Sequence, residues 1–146
     1  MEGLVSTIAG TVSDPVVTRR ALLVHMAGSA AATVMDGYGT SAIFNGPRGI
    51  VFYSHDFLYV ADTSNHRIRY MNLTTGYVGT LAGESLGFAD GQGTVARFRF
   101  PVGIDVDSRG TVIVADGTTV GGVPSNNAIR TMSPSGKEST FLICCG

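Results

Sequence analysis

"VADTSNHRIRYMNLTTG", Val60 to Gly76, is the stretch on which the reading of this chain turns. An apolar lead-in ends on Asp62. A short polar turn follows, then Asn65, His66 and Arg67, then an alternating run that closes on a Thr-Thr-Gly turn. An aspartate, an asparagine, a histidine and two arginines packed between positions 62 and 69 admit two explanations. One is a chemical site. The other is a structural clamp made of polar groups. In "RIRYMN" the side chains of Ile68, Tyr70 and Asn72 share one strand face, and those of Arg67, Arg69 and Met71 the other.

Working outward, the chain repeats itself. "DGYGTSAIFNGPRGIVFYSHDFLYVAD" (Asp36–Asp62) aligns without a gap on "DGQGTVARFRFPVGIDVDSRGTVIVAD" (Asp90–Asp116), at an offset of 54. Asp36, Gly39, Thr40, Phe44, Pro47, Gly49 and Asp62 recur as Asp90, Gly93, Thr94, Phe98, Pro101, Gly103 and Asp116. "NHRIRYM" (Asn65–Met71) then matches "NNAIRTM" (Asn126–Met132) at an offset of 61, so the second copy carries seven extra residues within "GTTVGGVPS" (Gly117–Ser125). "YVGTLAG" (Tyr77–Gly83) ends the first copy, and "LVSTIAG" (Leu4–Gly10) and "LVHMAG" (Leu23–Gly28) look like the same ending.

Each full copy reads as four short strands: Gly49–Tyr53, Phe57–Ala61, Arg67–Asn72 and Tyr77–Ala82, then Val102–Val106, Thr111–Ala115, Ala128–Met132 and Ser139–Leu142. Turn residues separate them in "SHD", "DSRG", "TTG" and "SPSG". "GIVF" and "YVA" are continuously apolar, the mark of strands covered on both faces. Four antiparallel strands repeated at about 40–50 residues form a propeller blade. The expected fold is all-β, an incomplete ring. Residues 1–33 make an irregular partial blade, 34–83 one full blade, and 84–143 a second full blade with an insertion at 117–125.

The succession ARF, then P-x-G-I-x-V-D, then VAD, N-H-R-I-R and T-L-A-G resembles the NHL-repeat family, over Met35–Phe141. That resemblance implies a propeller of about six blades. Two are visible here, so the chain is read as a fragment or as one protomer of a larger ring; three copies would supply six. It further implies a scaffold that presents rim loops to a protein or RNA partner. Some similar propellers are instead lyases or hydrolases with a metal in the central channel. That alternative needs histidines and acids converging from several blades, and the inner strands "GIVFY" and "GIDVD" carry no histidine.

Repetition separates the two explanations of the opening stretch. Asp62, Asn65 and Arg69 recur as Asp116, Asn126 and Arg130, whereas His66 becomes Asn127 and Arg67 becomes Ala128. A catalytic constellation needs to occur once; a device that holds a repeat together occurs in every copy. The six recurring residues are therefore read as a clamp, with Asp62 accepting backbone N–H groups of the "TSN" turn. Asp36 and Asp90 are read as turn residues. Asp105 and Asp107 share a strand face, but their counterparts are Val51 and Tyr53, so they are read as a solvent- or channel-facing acid and a turn starter. No catalytic residue, metal site or cofactor is expected, and no nucleophile elbow, P-loop or HExxH occurs.

The insertion, with Gly121, Gly122 and Val123 at its centre, is the candidate partner contact because the blade itself has no need of it. Arg48, Arg97 and Arg99, just before the first strands, could serve the same surface or pair between blades. Self-association through blade faces is the other expectation, since open strand edges and apolar faces seek cover. The composition agrees: charged residues are 14% of the 146, well below the usual ~25%, and glycine occurs 20 times. A net charge of −1 argues against general attraction to nucleic acid and leaves RNA the weaker partner. Cys144 and Cys145 are adjacent and carry no metal spacing. "MEGLVSTIAG" lacks the basic-then-apolar order of a signal peptide and no apolar run is long enough to span a bilayer, so a cytoplasmic location without membrane contact is expected.

Overall fold

A computed structural model describes residues 34–118, 121–122, 124–133 and 138–139. The partial blade expected at residues 1–33, the far end of the last strand and both cysteines lie outside the described residues. Two antiparallel sheets follow one another along the chain. The first contains β1 (Gly37–Tyr38), β2 (Gly49–Phe52), β3 (Phe57–Asp62), β4 (Arg67–Asn72) and β5 (Tyr77–Ala82), in the order β1-β5-β4-β3-β2. The second contains β6 (Pro101–Val106), β7 (Val112–Asp116), β8 (Ala128–Met132) and β9 (Glu138–Ser139), side by side in that order. These are the strands that alternation and turn chemistry predict, each shifted by a residue or less at the ends that can be compared.

One difference is the fifth strand of the first sheet. The Asp36 segment was expected to be only a turn. Instead Gly37 and Tyr38 pair with Val78 and Tyr77, extending the sheet beyond β5. The cause is local: the Asp36 carboxylate accepts from the Thr80 amide and hydroxyl at 3.2 and 3.0 Å, which draws the segment along the β5 edge before a 3-10 turn lifts it away. An edge covered in this way is not free to pair elsewhere.

The apolar core forms two layers, one on each face of the first sheet. On one face Ala42 and Phe44 pack against Leu58, Val60, Met71 and Val78. On the other face Tyr59, Ala61, Ile68 and Ala82 meet Ala96, Phe98, Val112, Val114 and Met132 from the second repeat, with Val51, Ile104 and Val106 closing the seam. The seam is tight where β2 passes β6. A Cβ on Gly49 would collide with the Val102 carbonyl and lie 3.1 Å from Ile104 Cγ2. Thr63 Oγ1 also donates across it to the Pro101 carbonyl at 2.6 Å.

The repeat alignment carries one backbone consequence. Gly46 has φ of 55°, in the left-handed region glycine tolerates. Its counterpart is Phe100, which takes the same conformation with φ of 53°. A bulky residue there is an outlier that its surroundings must hold. The Phe100 amide donates to His66 Nδ1 at 3.3 Å, and the two rings meet edge to face at 4.6 Å. His66 and Asn127 are themselves left-handed, with φ of 56° and 50°. Histidine and asparagine are among the residues that enter this region most readily.

Candidate functional site

Asp62 ends β3 and Arg69 lies in β4 on the facing strand, both fully buried. The Asp62 carboxylate is surrounded by donors: the Asn45 amide at 2.8 Å, Asn65 Nδ2 at 2.9 Å and Arg69 Nη1 at 3.1 Å. Arg69 extends further. Its guanidinium donates to the Ile43 and Met35 carbonyls, both at 3.0 Å, and to the Asp36 carboxylate at 2.7 Å. Its plane lies 4.9 Å over the Phe44 ring. A planar fork of donors can bind two carboxylates and two carbonyls at once; a lysine ammonium cannot.

The second repeat rebuilds this arrangement bond for bond. Asp116 accepts from the Arg99 amide at 2.7 Å, from Asn126 Nδ2 at 2.8 Å and from Arg130 Nη1 at 3.1 Å. Arg130 donates to the Arg97 and Ala89 carbonyls at 3.2 and 2.9 Å and to the Asp90 carboxylate at 2.6 Å. Here the guanidinium has two aromatic neighbours, Phe88 at 5.0 Å and Phe98 at 5.1 Å. Burial pushes the Asp116 carboxyl above its ordinary value, and Asn126, the Arg99 amide and Arg130 pull it back down.

Two details differ from the sequence reading. Asp62 does not cap the "TSN" turn: that 3-10 turn (Thr63–Asn65) has no side-chain cap bond, and Asp62 instead accepts from Asn45, 17 residues earlier. A carboxylate so far inside the sheet faces the returning inter-strand segment rather than its own turn. Asp36 and Asp90, expected to be turn residues, are the second carboxylates of the two arginines. The signal was available: both recur at the same offset as Asp62 and Asp116.

The other candidates are dispersed. Arg67 Nη2 donates to the Glu84 carbonyl at 2.9 Å. Arg99 Nη1 reaches the Pro124 carbonyl at 3.0 Å, anchoring the insertion. Gly121 and Gly122 are exposed with φ of 58° and 78°; Val123 lies outside the described residues. Arg48 and Arg97 are exposed. Asp107 starts its turn, accepting from the Arg109 and Thr111 amides at 2.9 and 2.8 Å, bonds that lower its pKa. Asp105 is exposed, and its carboxylate accepts from the adjacent Val106 amide. Among the described residues no three His, Cys, Asp or Glu side chains converge as metal ligands would, and no helix is long and apolar enough to cross a membrane. At the rim away from the clamp lies a hollow of about 390 Å³, lined by Phe52, Tyr53, Ser54, His55 and Leu73. Sequence reading passed over it because "FYSHD" looks like a plain hairpin turn; two exposed aromatics beside such a turn were the available signal.

Repeated antiparallel blades, packed face to face and each carrying the same Asp–Asn–Arg cluster, define a piece of a β-propeller. The NHL repeat is matched at residues 44–69, and over this stretch the chain is similar to the NHL-repeat β-propellers. It is 35% identical over 71 residues to NHL repeat-containing protein 2 of Gallus gallus, covering 49% of this chain and 10% of that protein. It is 33% identical over 82 residues to Protein SUPPRESSOR OF QUENCHING 1, chloroplastic, of Arabidopsis thaliana, covering 56% of this chain and 8% of that one. Among solved structures it resembles a Bacteroides thetaiotaomicron protein of unknown function, with a TM-score of 0.60 and 30% identity over 71% of this chain and 25% of the other. An auxiliary nutrient binding protein of the same organism is 30% identical with a TM-score of 0.50, over 57% of this chain and 23% of the other. The chain thus spans a tenth or less of the curated relatives it matches.

Proposed function

We propose that this chain is a non-enzymatic binding module of the NHL-repeat class, part of a larger propeller, whose contact surface for a protein partner is the rim carrying the insertion Gly117–Ser125. The supporting observation is how the polar cluster is used. Both Asp62 and Asp116 are occupied by an amide, an asparagine and an arginine, and each arginine is occupied by two carboxylates and two carbonyls. The Asp62 and Asp116 carboxylates at the centre of each cluster are buried. Among the described residues of the insertion Gly121 and Gly122 are exposed, and Arg99 holds its far limb through the Pro124 carbonyl. A loop held at its base with exposed glycines beyond it suits recognition. One structural relative, an auxiliary nutrient binding protein, agrees in kind with a binding role. Protein is the favoured partner over RNA because the net charge of −1 supplies no general attraction to phosphate.

A photo-crosslinking residue at Gly121, with one at Ser54 on the opposite rim as control, tests this. The expected result is a discrete protein adduct from Gly121. It disappears when residues 117–125 are replaced by the short turn of the first repeat. Adducts destroyed by ribonuclease, or divalent-metal-dependent lyase or hydrolase turnover by the purified chain, would overturn it.

A further inference from the structure

The seam between the two blades uses one face of each, and the same residue types recur on the outer faces, where part of the strip is exposed among the described residues. In the seam the second repeat presents Ala96, Phe98, Ile104, Val106, Val112, Val114 and Met132. Their counterparts on the first repeat are Ala42, Phe44, Ile50, Phe52, Leu58, Val60 and Met71, identical or apolar at every position. On this open face Ile50 is 58% and Phe52 69% exposed, whereas Ile104 and Val106 pack into the core. The complementary face shows the same contrast. Ile68 is fully buried in the seam, and its counterpart Ile129 on the second repeat is 38% exposed. Gly49, which lets β2 approach the Val102 carbonyl, is kept as Gly103, where a Cβ would meet only the Ala115 methyl at 3.3 Å. Ala42, Phe44, Leu58, Val60 and Met71 are buried within their own repeat, so the part of this surface that is covered in one repeat and exposed in the other is the β2 strip of Ile50 and Phe52, with Ile129 on the complementary face.

We propose that a second copy of this chain covers it, head to tail. The open face of one copy's second repeat docks on the open face of the next copy's first repeat and reproduces the internal seam. Charge identifies the occupant. The open faces depart from the apolar pattern along the β2–β6 line at two places, Arg48 where the seam has Val102 and Asp105 where it has Val51. Gly49 lies level with Val102 and Ile104. Transposed by one repeat, Gly103 lies level with Arg48 and Ile50 of the next copy. Asp105 then falls two residues along, within reach of a guanidinium. Both groups are exposed, and no ion pair within the chain includes either of them among the described residues. The substitutions are of opposite sign on surfaces that would meet. A head-to-tail contact of this kind closes into a ring or runs on as an open chain. The inference is independent of the rim-loop reading above.

Light scattering over a range of concentrations, with Arg48→Asp and Asp105→Arg, tests it. The wild-type chain is expected to form a concentration-dependent assembly. Each single reversal sets like charges together and weakens association by about ten-fold or more, since such juxtapositions cost several kcal/mol. An equimolar mixture of the two variants, and the double variant, are expected to assemble again, because opposite charges then meet. Circular dichroism of each variant guards against misfolding, and both positions are exposed. A wild-type monomer at every concentration would overturn the proposal, whether residues 1–33 or another protein covers the face. So would single reversals that associate normally, or a mixture that does not recover.

Discussion

Gly49 and Gly103 are the same residue of the repeat in two environments, and a methyl group added to each isolates the blade seam. At Gly49 an alanine Cβ would overlap the Val102 carbonyl and crowd Ile104, with its amide nitrogen at 3.3 Å and its Cγ2 at 3.1 Å. The obstructing atoms are mostly backbone and cannot rotate away, so the seam must open. Overpacking of this kind costs about 1–3 kcal/mol. Replacing glycine by alanine returns about 0.4–1 kcal/mol through the unfolded chain. Gly49→Ala should therefore lose about 1–2 kcal/mol. Gly103→Ala, whose new methyl touches only Ala115, should stay within about 0.5 kcal/mol of wild type or gain slightly. Urea unfolding followed by circular dichroism, at a concentration dilute enough that copies do not associate, measures both. Equal stabilities for the two variants would refute the seam as described.

Further outcomes follow from the same geometry. Burial and, after it, the Arg99 guanidinium lower the His66 pKa, against the pull of Asp62. A depressed histidine gives stability that is present above its unfolded value near 6.5 and lost as pH falls through the folded value. Unfolding measured from pH 7.5 to 5 should show that loss, and His66→Asn, which copies Asn127, should remove that part of the slope. Arg69→Lys keeps the charge but cannot reach Asp36, Asp62 and both carbonyls together. Thermal and urea unfolding should show a loss of about 2–4 kcal/mol, close to that for breaking a buried pair. Arg99→Ala frees the Pro124 carbonyl while keeping the backbone amide on Asp116. Hydrogen exchange should rise across the insertion, with global stability changed by less than about 1 kcal/mol.

The blade strands were legible because local signals and repetition agreed. Alternation in "RIRYMN" and the turn residues around it fix β4 closely, and the gapless alignment transfers β2 and β3 onto β6 and β7. The residues singled out by recurrence, Asp62, Asn65 and Arg69 with Asp116, Asn126 and Arg130, are the ones the structure joins. What stayed hidden depends on long-range wrapping. Asp36 meets Arg69 across 33 residues, because the segment entering the blade doubles back along its outer edge. A D-G-x-G motif looks the same in sequence whether or not its carboxylate has a distant partner. Phe100 was hidden for a different reason. Phenylalanine carries no local signal for a left-handed backbone, and only its alignment with Gly46 marks the position.

The most direct test of the central claim, that the repeated polar cluster holds the blades rather than performing chemistry, is the unfolding free energy of Asp62→Ala beside Asp116→Ala. Each change strands a buried arginine together with an asparagine and a backbone amide. The account predicts a loss of about 3–5 kcal/mol for either one, of similar size in both repeats. Wild-type stability in either variant would contradict it and return the cluster to the list of chemical sites.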